Sequence, residues 1–552
     1  MTKSNLPQAY RHPYEFAPQF RKSVAYFSME FAIDQALKIY SGGLGFLAGS
    51  HMRSAFELKQ NVIGIGMLWK YGYYDQTRKT DNAMDVLFRE KIYGFLEDTG
   101  IKFTIEVHHT PVWVKAYYLD PKHFNTVPMF FLTTDIDEND WLARSISLRL
   151  YDSISSAKVA QCMILGLGGA KLLDELNYEP EVYHLNEAHA VSAAFHLYQK
   201  YGSADAVRKR MVFTTHTPEE AGNDKHDITQ LNVMSFFGQV PLEKVREITG
   251  IDDNVFNHSL AALRLSRKAN GVSKLHGEVS RHMWGSYSNI PEITHVTNAQ
   301  NLRYWADPEL ENARKKSDVK AIAERKKSLK ATLFKTVADQ CGKLFDPNVL
   351  TIIWARRFAG YKRPDLLVQD HERFHQLMNN EKYPIQFIWA GKPYPSDEGA
   401  THTFNSLVYL SHLHKNMAVL TGYELALSKL LKDGSDVWLN TPVVTREASG
   451  TSGMTAAMNA GINFSTFDGW ICEFAEHQKN AFIVPVVQPG LSPEERDASD
   501  RNHFFDQLEN VILPMYYEKP DEWNALTLQS MNDVNGFFNS NRMATEYYEK
   551  MY

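Results

Sequence analysis

Residues able to do chemistry gather in a few stretches of this sequence. In Thr445–Trp470, TREASGTSGMTAAMNAGINFSTFDGW, the carboxylate of Glu447 is followed by Ala448, Ser449, Gly450, Thr451, Ser452 and Gly453. Small side chains let backbone N–H groups come close to a ligand, and a helix start behind them favours an anion, so a sugar phosphate or a diphosphate suits the stretch. A glycine-rich strand-to-helix turn that binds nothing has the same signature. A second stretch, ARRFAGYKRP, carries Arg356, Arg357, Lys362 and Arg363 directly after an apolar run. A guanidinium and an ammonium at the end of one strand, Arg357 and Lys362, can grip one phosphate as fork and point charge; alone, such a run is more often a solvated basic turn. Gly42, Gly43 and Gly45 in IYSGGLGFLAGS offer another close approach before a helix, or simply a tight turn. His216 in VFTTHTP and Glu187 with His189 in HLNEAHA end two further strands. Such histidines usually complete structural hydrogen bonds, but both positions are expected to face a ligand cleft.

The elements that must position these residues alternate. VAYFSMEF, VIGIGMLW, VPMFFLTT, VYHLN, RMVFTTH and ITHVTN read as short buried strands, with helical stretches such as Ser156 to Leu176 and Ala188 to Tyr201 between them. The charged stretch from Asp307 to Leu344 reads as a solvated helical connection. A second alternating set follows: VLTIIWA, IQFIWAG, MAVLTGY, VWLNTP and GINFSTFDG. Buried strands alternating with helices imply parallel sheets covered on both faces. The fold class is therefore α/β, with two doubly wound, Rossmann-like domains and ligands in a central cleft at the carboxyl ends of the strands. The expected divisions are residues 1–300, a helical connection over 301–345, a second α/β domain over 346–520, and a helical tail over 521–552 that crosses back to the first domain.

Composition sets the outer limits. A chain of 552 residues exceeds one core. A net charge of -6 with the signs interspersed does not indicate a nucleic-acid surface. No stretch resembles a signal peptide or a membrane span. Cys162, Cys341 and Cys472 are widely spaced and form no metal-type pair, which points to reduced thiols in a cytoplasm and to no metal.

Taken together, YFSMEFA, IYSGGLGFLAGSH, HLNEAHA, VFTTHTPEEAGND, NGVSKLHGEVSRHMW, WARRFAGYKRPDLL, DVWLNTP and EASGTSGM resemble the α-glucan (glycogen, maltodextrin) phosphorylase family, in particular its short bacterial branch. The resemblance implies a GT-B fold, retaining chemistry on α-1,4-glucans, an α-glucan or oligosaccharide partner and a homodimer. The motifs begin almost at the start of the chain, so the N-terminal regulatory segments of larger relatives are expected to be missing. Carried over by motif, the resemblance gives the chemistry to His216, Arg357, Lys362 and Glu447. It gives sugar binding to Gly43, Glu187, His189, Asn270, Ser449 and Gly450, and phosphate or nucleotide binding to Arg356, Tyr423, Thr451, Ser452 and Gly453.

The sequence departs from the family at one decisive place. In phosphorylases the lysine carrying pyridoxal phosphate follows the methionine of the EASGTSGM motif; here Thr455 follows Met454. A hydroxyl cannot form an imine, which needs a primary amine. No covalent cofactor is therefore expected, non-covalent pyridoxal phosphate is disfavoured, and a nucleotide sugar becomes a candidate donor. Three readings stay open: a transferase using a phosphorylated or nucleotide-linked glucosyl donor, a true phosphorylase, and an inactive glucan-binding protein.

Overall fold

A computed structural model describes residues 6–487 and 490–552. The chain folds into two compact units. The first comprises the N-terminal residues through Tyr74, Phe88–Asn301 and Ser540–Tyr552, and the second comprises Asp75–Leu87 and Leu302–Asn539.

The first unit is built on a nine-stranded sheet. In chain order its strands are β1 (Val24–Phe27), β2 (Val62–Met67), β3 (Glu97–Val107), β4 (Thr110–Leu119), β5 (Met129–Thr133), β6 (Val182–Asn186), β7 (Met211–Thr214), β8 (Lys268–Gly271) and β9 (Ile293–His295). Their spatial order is β9-β8-β7-β6-β1-β2-β5-β4-β3. All pairs are parallel except the last two, where the β3–β4 hairpin is appended antiparallel to β5. The parallel strands β1, β2, β5, β6 and β7 are buried at every position, as expected of a sheet with covered faces. The short helix Ser540–Glu546 packs against the helix Gly43–Glu57, with Ser540 Oγ and Ser54 Oγ 2.5 Å apart.

The second unit holds an all-parallel six-stranded sheet: β10 (Leu350–Ala355), β11 (Ile385–Ala390), β12 (Met417–Leu420), β13 (Val437–Asn440), β14 (Ile462–Ser465) and β15 (Ala481–Ile483), in the spatial order β12-β11-β10-β13-β14-β15. The order reverses between β10 and β13, and in open sheets of this kind ligands bind outside the strand ends at that reversal. The hairpin Asp75–Arg78 and Met84–Leu87 also belongs to this unit, where Gln76 Nε2 donates to Gly391 O at 2.8 Å.

The stretch expected as a solvated connection is built into this unit instead. Its long helix, Val319–Cys341, buries Ile322, Leu329, Leu333, Phe334 and Val337, and two lysines go in with them. Lys326 Nζ donates to the carbonyls of Asp433, at 2.8 Å, and Asn459, at 2.6 Å, closing two helix C-termini. Lys330 pairs with Asp436. Charge alone did not reveal these lysines as interior, because each is neutralised by a partner far away in sequence. Among the described residues no helix is long and apolar enough to cross a membrane.

Candidate functional site

In the second unit the site forms at the reversal point. β10 ends at Ala355 and delivers Arg356; the turn that follows delivers Lys362. Glu447 arrives from the loop after β13. Its Oε2 accepts from Arg356 Nη2 at 2.9 Å and from Lys362 Nζ at 2.8 Å. Burial would raise this carboxyl, but Arg356 and Lys362, with Arg357 behind them, bring it down to about 2. Of the four cations in the basic stretch, Arg356 and Lys362 converge and are buried, whereas Arg357 is exposed. Arg363 turns the other way, into the core, with Nη2 2.7 Å from Asp500 Oδ2 and Nε on Thr441 O at 2.8 Å. Residues in an irregular turn have no fixed facing, so the sequence could not choose among the four.

The loop carrying Glu447 is stitched down by backbone bonds. Val443 N donates to Tyr361 O, Glu447 N to Asp468 Oδ2, and Trp470 N to Ser449 O, each at 2.8 Å. Thr445 holds φ 75°, a strained conformation for a β-branched residue. Gly450 holds φ 90°, and a Cβ there would lie 3.3 Å from both Glu447 Cγ and Trp470 Cδ1. Asp468 was not singled out in the sequence, where it falls at the end of the run GINFSTFDG, read there as a strand. Burial pushes its carboxyl up to about 7, against backbone donors that favour the charge, and the charge on Glu447 adds to the rise.

Several buried polar atoms in this part of the second unit have no partner among the described residues: Nε and Nη1 of Arg356, Oγ of Ser449 and Oδ1 of Asn440. Buried donors of this kind are normally satisfied, so unpaired guanidinium nitrogens mark a place for an acceptor. The phenol of Tyr423 donates to Ala355 O at 3.2 Å. Thr451 precedes the helix Ser452–Met458, Ser452 Oγ lies 3.4 Å from Trp438 Nε1, and Gly453 packs against Asn463 and Trp470. Thr455 is buried on this helix, its hydroxyl bonded to Ser452 O at 3.0 Å.

The first unit holds the histidines singled out in the sequence. Glu187, in the positive-φ region at 70°, follows β6 and binds the chain after β7. His216 N donates to its Oε2 at 2.8 Å, and Thr217 Oγ1 does so at 3.1 Å. The side chain of Asn186 donates to Ser28 Oγ, which leaves its Oδ1 to accept from His216 Nε2 at 2.7 Å. The opposite ring nitrogen of His216 then carries a lone pair. Burial, and after it His276 and His189, lower His216 to about 3, so its ring is neutral near pH 7. His189 is lowered to about 4 by burial, and its Nδ1 has no partner among the described residues. Asn270 is spent inside the unit: its Oδ1 accepts from Thr214 Oγ1 at 2.8 Å and its amide faces Tyr547 Oη at 3.3 Å. Gly43 is the first residue of its helix, and Gly42 N donates to Glu30 Oε2 at 3.1 Å. Glu30 is a residue that the sequence reading passed over; it also accepts from Ser41 N at 2.6 Å and Tyr151 Oη at 2.8 Å, so it holds the glycine turn.

Known proteins resemble this chain in sequence. The carbohydrate phosphorylase family profile matches residues 284–504. The maltodextrin phosphorylase of Thermococcus litoralis is 31% identical over 97% of this chain and 71% of its own length. The glycogen phosphorylase of Mycobacterium tuberculosis is 30% identical over 96% and 70%. An uncharacterized protein of Methanocaldococcus jannaschii is 45% identical over 96% of this chain and the whole of its own. On these similarities the chain belongs to the carbohydrate phosphorylase family, and with it to the glycosyltransferases of carbohydrate metabolism.

Proposed function

We propose that the protein transfers a glucosyl unit, with retention at the anomeric carbon, between an α-1,4-glucan and a phosphorylated or nucleotide-linked donor. The observation carrying this reading is Arg356: two of its nitrogens are buried without partners while the third joins Lys362 on Glu447. That arrangement suits a phosphate or diphosphate leaving group, whose growing charge the cations stabilise as the glycosidic bond breaks. Glu447 and Ser449 are assigned to sugar hydroxyls. His216 is assigned to the neighbourhood of the anomeric carbon, where a neutral imidazole does not oppose developing positive charge. Glu187 and His189 are assigned to the glucan.

Pyridoxal phosphate, the cofactor that relatives of this kind imply, needs an anion grip and a primary amine. The open nitrogens of Arg356 fit its phosphate, and Thr455 does not fit its aldehyde. A donor carrying both phosphates in one leaving group needs no such amine. The second reading is phosphorolysis of the glucan, which the maltodextrin and glycogen phosphorylase relatives favour.

The test is a binding and turnover panel on the purified protein: nucleoside diphosphate glucose, glucose 1-phosphate, and orthophosphate with maltodextrin. We expect binding of at least one phosphorylated compound, weakened at least tenfold in Arg356→Ala. No binding of any of them overturns both enzyme readings.

A further inference from the structure

At the amino ends of β1, β2 and β6 the first unit leaves a cavity of about 420 Å³. Arg21, three residues before β1, Asn61, directly before β2, and Tyr178, four residues before β6, all line it. These strands run parallel, so Glu187 and His216 lie at the other end of the sheet, the length of β6 or on the order of 15 Å away. Rings form much of the wall: the His12 centroid is 4.9 Å from that of Phe16 and 5.3 Å from that of Tyr14. The Tyr14 hydroxyl is used within the unit, donating to Gln60 O at 3.0 Å.

Two polar groups of the wall stay open. Tyr178 is 2% exposed, and its Oη makes no hydrogen bond among the described residues. The hydroxyl beside it, on Ser23, is occupied by Glu181: it accepts from Glu181 N at 3.0 Å and donates to Oε2 at 3.4 Å. His12 Nε2 can only donate to Val62 O, 2.8 Å away, which leaves the ring's lone pair on Nδ1. Burial lowers His12 to about 4, with the Val62 bond opposing, so the ring is neutral near pH 7. A phenol without an acceptor and an imidazole without a donor suit a hydroxyl group, which accepts one bond and donates another. Arg11, Glu15 and Arg21 line the cavity as exposed residues. Arg11 Nε donates to Leu6 O at 3.2 Å, and none of the three forms an ion pair among the described residues. Two guanidiniums against one carboxylate leave a single positive charge, and the guanidinium fork matches a carboxylate.

We infer that this cavity binds a small aromatic monocarboxylate bearing a ring hydroxyl. Arg11 and Arg21 take the carboxylate, the rings of His12, Tyr14 and Phe16 receive the aromatic body, and Tyr178 donates to the hydroxyl. Pockets of roughly 300–1,000 Å³ hold small organic ligands, and this cavity falls in that range. Binding is non-covalent, and it draws on no residue of the phosphate grip at Arg356, Lys362 and Glu447.

The full-length protein is titrated with 4-hydroxyphenylacetate, phenylacetate, 4-hydroxyphenethylamine and phenyl phosphate, followed by calorimetry and ligand-observed NMR. The expected result is one 4-hydroxyphenylacetate per chain, bound at least fivefold more tightly than phenylacetate, and no saturable binding of the amine. Replacing both exposed arginines, Arg11→Ala with Arg21→Ala, weakens both acids at least tenfold at an unchanged Tm. Tyr178→Phe keeps the ring and abolishes the preference for the hydroxylated acid, whereas Arg356→Ala leaves binding as in the wild type. Absence of saturable binding, equal binding in the double arginine variant, or loss of binding in Arg356→Ala overturns the proposal. Phenyl phosphate bound tenfold more tightly than either acid overturns the carboxylate assignment. Should Tyr178→Phe fail to fold, the ratio of the two acids in the wild type decides, and equal affinity for both overturns the role of Tyr178.

Discussion

Glu447 and Asp468 are two buried carboxylates joined through one backbone bond, Glu447 N to Asp468 Oδ2 at 2.8 Å, and their acidities are driven apart. The cations that Arg356 and Lys362 supply bring Glu447 down to about 2 in spite of its burial. Burial takes Asp468, which faces only backbone donors and the Glu447 charge, up to about 7. Opposite pH behaviour follows for each.

Glu447 has a folded-state value below its unfolded one. Its contribution is present above the usual carboxylate range and is lost as the pH falls from about 4.5 towards 2. The shift corresponds to an order of magnitude of about 3 kcal/mol. Urea unfolding between pH 6 and pH 3 should show a decline in the wild type that is reduced in Glu447→Gln. Because Glu447 occupies the two cations, the same variant should bind orthophosphate several-fold more tightly while losing about 100-fold or more in glucosyl transfer, read by calorimetry and a coupled assay.

Asp468 is raised, so the folded protein holds its proton to higher pH than the unfolded chain does. Stability from this residue therefore falls as the pH rises from about 4 through about 7, by up to a few kcal/mol. Asp468→Asn removes the charge and should flatten the stability profile between pH 5 and pH 8. An unchanged slope in that variant would show that Asp468 titrates normally.

Lys362 and Arg363 are adjacent in sequence and opposite in consequence. Lys362→Ala takes a cation from the phosphate grip and should cost at least tenfold in affinity for a phosphorylated ligand. Arg363→Ala strands Asp500 in the interior, and breaking a buried pair of this kind costs roughly 3–5 kcal/mol. Parallel titrations with ligand and with denaturant separate the two effects.

Gly453 has no room for a side chain: a Cβ would sit 2.3 Å from Asn463 Oδ1 and 2.9 Å from Trp470 Cζ2. Gly453→Ala should lose roughly 1–3 kcal/mol by overpacking, visible as a lower Tm in calorimetry. It should also weaken phosphate binding by displacing Trp470 from the loop, whereas Gly536→Ala, with nothing near its Cβ, should match the wild type in binding.

By itself the sequence determined which residues are candidates for chemistry. Alternating, largely apolar runs imply parallel strands because a strand covered on both faces is buried at every position, as β10 and β11 are. The small residues after Glu447 and the cations after β10 were readable as a candidate phosphate grip from their types and spacing. Thr455 was readable as a hydroxyl at the position where the resemblance expects an amine. Tertiary structure alone decided which charges meet. Arg356 rather than Arg357 joins Lys362 on Glu447, and Arg363 faces Asp500, because a turn's side chains take their direction from packing partners 80 to 140 residues away. Lys326 and Lys330 looked like solvent-facing charge and are interior, since the carbonyls and carboxylate that receive them come from other segments. Sequence spacing records neighbours along the chain, and burial and charge pairing depend on neighbours across it.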